Sequence, residues 1–215
     1  MRLWGVVFSL TLASLLYGQQ NSQTDHAHFP LVGGQQDSLI TTHSFINKKY
    51  AEKLKSIREN FVRINTISKW DSISEIKLWE STEGGYARYY LKDSIIEKII
   101  THHFGETFQE LTEYYLRNGE LSFVFEKSYH YNRPIYWTKE FSGDIIGEDE
   151  EFDFEKSEIF EDRSYFDNRN LFHQTTNQDC GAPFSADYLF EEQLRLSNAY
   201  KELLKKSGIN NKESS

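Results

Sequence analysis

The sequence predicts an α+β fold: an antiparallel β-meander of about six to eight strands built from hairpins, with an N-terminal and a C-terminal helix packed on one face. Three observations predict it. Apolar residues keep a helical period near both ends of the chain, the period drops to two between them, and in that middle stretch a turn recurs every 25 residues.

The elements follow in order. Arg2 precedes an almost wholly apolar run from Leu3 to Leu16 and the turn residues Tyr17, Gly18 and Gln19. This pattern predicts a cleaved signal peptide over residues 1–18, because the run falls short of the roughly 20 residues a membrane span needs. The mature chain is expected to have no transmembrane segment and to be periplasmic or secreted. No cysteine directly follows the apolar run, so a lipoprotein is not expected. Residues 19–44, polar and aperiodic, read as a flexible leader, and residues 45–207 as a single domain ahead of a flexible tail, 208–215.

From Asn47, the apolar residues Tyr50, Leu54, Ile57, Phe61 and Ile64 step by four and three, with charged residues between them, which is an amphipathic helix with one buried stripe. Near the other end Pro183 and a Ser185 cap precede Leu189, Leu196, Tyr200 and Leu203 at helical spacing, and Gly208 and Asn210 close the run.

Between the helices four blocks align at Leu91, Leu116, Phe141 and Phe166. Each carries two turn residues between large apolar ones: Asp93-Ser94, Asn118-Gly119, Gly143-Asp144 and Asn168-Arg169. Regular pairing away from Asn118-Gly119 sets Leu116 against Leu121, Tyr114 against Phe123 and Thr112 against Phe125. The other face then carries Glu113, Tyr115, Ser122, Val124 and Glu126. In the first hairpin the same rule groups Tyr89, Leu91, Ile96 and Ile100, and opposite them Arg88, Tyr90, Ile95, Glu97 and Ile99. One face is expected to be apolar and covered by helices, the other mixed, tyrosine-rich and solvated.

The residues from Tyr86 to Tyr136, with Gly105-Glu106, Glu113 to Leu121, Phe123 to Glu126 and Tyr129 to Tyr136, resemble uncharacterised exported domains of Gram-negative bacteria. Arg163 to Leu171 looks like the closing hairpin of the same domains. The Tyr114-Tyr115 hairpin is also similar to the MORN-like repeats of antitoxin-type proteins. No activity is assigned to the exported family, so the resemblance implies location and fold and no catalytic residue.

Composition narrows the function. With 215 residues, 38% hydrophobic and 15% aromatic, the chain can build a core, while a formal net charge of −9 argues against neutralising nucleic-acid phosphates. With a single cysteine, Cys180, no internal disulfide can form, and this residue reads as a buried small side chain. His102 and His103 are neighbours on a strand and point to opposite faces, and His130 lies a strand away, so no metal site or cofactor is expected. Six carboxylates between Glu148 and Glu155 lack the calcium-loop order and read as a solvated loop. There is no nucleophile-elbow or phosphate-loop motif.

Two surfaces remain. Arg88, Tyr90, Tyr115, Arg163 and Tyr165 are expected to line up on the mixed face with the composition of a recognition surface. The expectation is a non-catalytic binding or interaction module with an unknown protein or envelope component as partner; the sheet edge offers a further means of association. The alternative is a glycosidase-like hydrolase using Glu113 and Glu126 as same-face diagonal neighbours, at a separation of about 7–8 Å that overlaps the inverting geometry.

Overall fold

A computed structural model describes residues 42–138, 150–178 and 184–209. Helix α1 (Thr42–Asn65) leads into seven strands: β1 (Ser72–Leu78), β2 (Gly85–Lys92), β3 (Ile95–Phe104), β4 (Phe108–Arg117), β5 (Glu120–His130), β6 (Glu158–Asp167) and β7 (Asn170–Thr176). Helix α2 (Ala186–Ser207) follows. The strands form one antiparallel sheet in chain order, so the chain is an α+β meander. Helix α1 begins at Thr42, inside the stretch expected to be leader. The signal segment, the turn at Gly143-Asp144 and Cys180 lie outside the described residues.

Three hairpins stand where the repeat places them. Their turn residues have positive φ at both positions: Asp93 and Ser94 at 50° and 62°, Asn118 and Gly119 at 53° and 77°, Asn168 and Arg169 at 49° and 67°. Left-handed pairs of this kind match the right-handed twist of the strands they join. Strand β1 was not foreseen. Its apolar residues Ile73, Ile76 and Leu78 change phase within seven residues, which spoils the alternation that marks a strand.

Each hairpin also carries an extra residue just past its turn. Leu91 faces Ile96 but Tyr90 faces Lys98; Leu116 faces Leu121 but Tyr115 faces Phe123; Phe166 faces Leu171 but Tyr165 faces His173. Glu97, Ser122 and Phe172 are thus bulged. A bulge moves every later side chain of its strand to the other side of the sheet. The regular pairing read from the sequence is corrected accordingly: Tyr114 faces Val124, Glu113 faces Phe125, and Ile99 joins Tyr89 rather than Tyr90.

The helices take opposite faces, which corrects the expectation that both share one. Helix α2 is capped by Ser185, whose hydroxyl accepts the Tyr188 N–H, and it ends at Gly208 with φ 63°. Its Leu196, Tyr200 and Leu203 are buried against Tyr89, Ile99, Tyr114, Val124 and Phe166. Burying each leucine side chain contributes roughly 1.5–3 kcal/mol. Two phenols fix the helix to the sheet: Tyr89 donates to the Leu203 carbonyl at 2.8 Å, and Tyr200 to the Gly119 carbonyl at 2.7 Å.

Helix α1 lies on the other face, along the row of bulges. Tyr50 packs on Phe172, Lys53 pairs with Asp167, Asn60 donates to the Leu116 carbonyl, and Arg63 pairs with Glu97. The thirteen steps from Tyr50 to Arg63 span about 20 Å at 1.5 Å per residue. Four strand spacings from β7 to β3 cover about 19 Å. The match explains how one helix crosses the ends of three hairpins. Phe61 fills the contact beneath it, with ring centroids 4.8 Å from Tyr115 and 5.8 Å from Phe123.

Candidate binding face and buried polar clusters

Register places Arg88, Tyr90, Tyr115, Arg163 and Tyr165 on the same side of the sheet, the α1 side. That side is not an open tyrosine surface. Helix α1 crosses the tyrosine row, and Tyr115 and Tyr165 are 0% and 2% exposed. Arg163 is half-buried, bonded to Glu161 at 2.7 Å and lying over the Phe125 ring. Arg88 and Tyr90 keep partial exposure because they stand on β2, beyond the reach of the helix.

Around these two residues the sheet carries a cluster of rings and charge. Arg88 donates twice to one oxygen of Glu75, at 3.1 and 2.6 Å, and its guanidinium lies 5.0 Å from the centre of the Tyr86 ring. Tyr86 meets His102 edge-on at 5.7 Å, and His102 packs on Phe104 at 4.1 Å. Tyr90 meets Trp70 at 5.3 Å. Burial lowers the pKa of His102, which also bonds Gln109, so neutral imidazole is favoured. This is a half-exposed surface of aromatic faces with one oriented arginine.

Glu113 and Glu126 do not form a pair. The bulge at Ser122 turns Glu126 to the α2 side, opposite Thr112, while Glu113 stays on the α1 side opposite Phe125. The same-face carboxylate pair expected from the sequence is therefore not formed, because the sheet itself separates the two groups.

Each carboxylate has a structural role instead. Glu113 is buried with Lys98, whose ammonium lies 2.9 Å from the Glu113 carboxylate and 2.9 Å from the Tyr115 hydroxyl. That hydroxyl donates to Glu113 in turn. Burial lowers the Lys98 pKa against the opposing pull of Glu113, and burial, followed by the Glu113 charge, raises that of Tyr115. On the opposite face Glu126 accepts both arms of Arg195 at 2.8 and 2.7 Å and lies across from Asp162 on β6. Burial raises the pKa of both carboxyls. With Arg195 they line a cleft of about 160 Å³.

The part of the acidic segment that is described is anchored rather than loose. Asn132 donates to Glu150 and to the Glu151 carbonyl and accepts the Asp153 N–H, while Glu150 pairs with Lys156. Asp153 caps a short 3-10 helix (Phe154–Lys156), and Phe152 and Phe154 pack on Tyr131. Among the described residues no group of three or more histidines, cysteines and acids is arranged to hold a metal, and no helix is long and apolar enough to cross a membrane.

The sequence reading missed Lys98, Asp162 and Arg195. Lys98 had a signal, a lysine inside the apolar strand Ile95 to Phe104, but its partner is set by the bulge at Glu97. Comparison of the chain with protein-family models, with curated proteins and with solved structures found no match.

Proposed function

We propose that the protein is a non-catalytic binding or interaction module of the cell envelope, working through the part of the α1-side face that the helix leaves uncovered on β2 and β3. The observation that carries this reading is the half-exposed group of Trp70, Tyr86, Arg88, Tyr90 and His102. Amphipathic rings beside an oriented guanidinium offer large contact area at small entropic cost, the composition on which protein recognition relies. The apolar run at Leu3 to Leu16 supports export. The test is capture of partners from an envelope extract by the wild-type protein and by an Arg88→Ala, Tyr90→Ala double variant with an unchanged circular dichroism spectrum. Loss of captured material supports the surface, and identical capture removes it from consideration.

A further inference from the structure

Strand β1 forms one edge of the sheet, and among the described residues nothing pairs with its outer side. It contains no proline and makes no bulge with β2. Ser72, Ile73, Ser74, Glu75 and Lys77 are all exposed, as is the following Trp79; Ile73 is 52% and Trp79 78% accessible. Edges this long and this bare are templates for another strand.

We propose that a second copy of the chain occupies this edge, the two β1 strands pairing antiparallel about a two-fold axis to give a continuous fourteen-stranded sheet. The occupant follows from the charge pattern of β1 itself. In an antiparallel pair of identical strands, facing residues must turn their backbone groups the same way, both toward the partner or both away, so the axis passes through a residue that faces its own copy. Only a few centres are available. An axis at Glu75 or at Lys77 sets like charges against each other, and an axis at Ser74 sets Ile73 against Glu75. An axis at Ile76 sets Glu75 against Lys77, Ile73 against Trp79 and Ser74 against Leu78, each arrangement occurring twice by symmetry. Opposite charges and exposed apolar side chains then meet at every facing position on the α1 side.

The side chains are free to do this. Arg88 engages only one oxygen of Glu75, leaving the other to accept from Lys77 of the second copy. Lys77 makes no ion pair among the described residues and sits 5.9 Å from the Trp79 ring centre. This inference stands apart from the proposed binding face, although the same pairing would bring two copies of the Arg88 surface side by side.

Sedimentation of the purified full chain across a concentration series tests it. The wild type is expected to dimerise. Lys77→Glu, which sets two pairs of like charges across the axis, is expected to weaken the dimer by about tenfold or more, and the Glu75→Lys, Lys77→Glu double variant to recover it. A second measurement reads the register directly. In a Cys180→Ser background, Ile76→Cys is expected to oxidise to a covalent dimer, while Ser74→Cys, which faces position 78 of the second copy, is not. A monomer at every concentration, a Lys77→Glu dimer as strong as the wild type, or equal cross-linking at positions 74 and 76 overturns the proposal.

Discussion

Replacing Glu113 by glutamine keeps the shape of the side chain and removes the only counter-charge that Lys98 has among the described residues. The Lys98 and Glu113 side chains are 6% and 2% exposed, so water cannot take over that role. Breaking one side of a buried pair typically costs about 3–5 kcal/mol. The Tyr115 hydroxyl, still 2.9 Å from the ammonium, retains some of the interaction and places the expected loss near the lower end of that range. With a urea slope of about 2 kcal/mol per molar, the unfolding midpoint falls by about 1.5 M. The loss has a pH signature. Burial already lowers the Lys98 pKa in the folded protein, so the unfolded chain binds the proton more tightly and stability rises with pH across that interval. Without Glu113 the interval widens, and the variant should recover part of its deficit as pH rises toward the ordinary lysine range. A Lys98→Met, Glu113→Leu double variant, which removes both charges, should stay within about 1 kcal/mol of the wild type. A Glu113→Gln midpoint within 0.5 M of the wild type, or no recovery with rising pH, would refute the buried-pair account.

Other outcomes follow from the same geometry. Burial pushes the phenols of Tyr89 and Tyr200 up to about 12, so the unfolded chain ionises first; their contribution, intact below pH 10, should drain away by pH 12, at up to about 2–3 kcal/mol each, read from urea midpoints. Arg195→Met leaves Glu126 facing Asp162 without its cation and should cost about 1–3 kcal/mol at pH 7. Both carboxyls have raised pKa values, and the stability tied to a raised group is lost as pH climbs through its folded value; the deficit should therefore shrink on titration toward pH 4. A Gly85→Ala methyl would sit 2.2 Å from the His102 carbonyl oxygen, which belongs to the paired backbone and cannot move aside, so a loss above about 2 kcal/mol is expected by thermal unfolding. Ser94→Gly relieves a non-glycine residue at φ 62° and should gain up to about 1 kcal/mol.

The sequence alone determined the meander, because turn pairs such as Asn118-Gly119 can be recognised from local backbone preference and their 25-residue spacing locates three hairpins at once. It also determined both helices, since a step of three and four marks a buried stripe wherever the helix docks, and the end signals Ser185 and Gly208 act on their own backbone. Only the tertiary structure decided which face each side chain took. A bulge at Ser122 changes no composition and no period near the turn, yet it sends Glu126 to α2 and leaves Glu113 under α1. Likewise Tyr90 and Tyr115 occupy equivalent repeat positions, and one is half-exposed while the other is buried, because a helix of fixed length covers β3 to β7 and stops short of β2. Local preferences set the turns, whereas burial is a property of what lies across the gap.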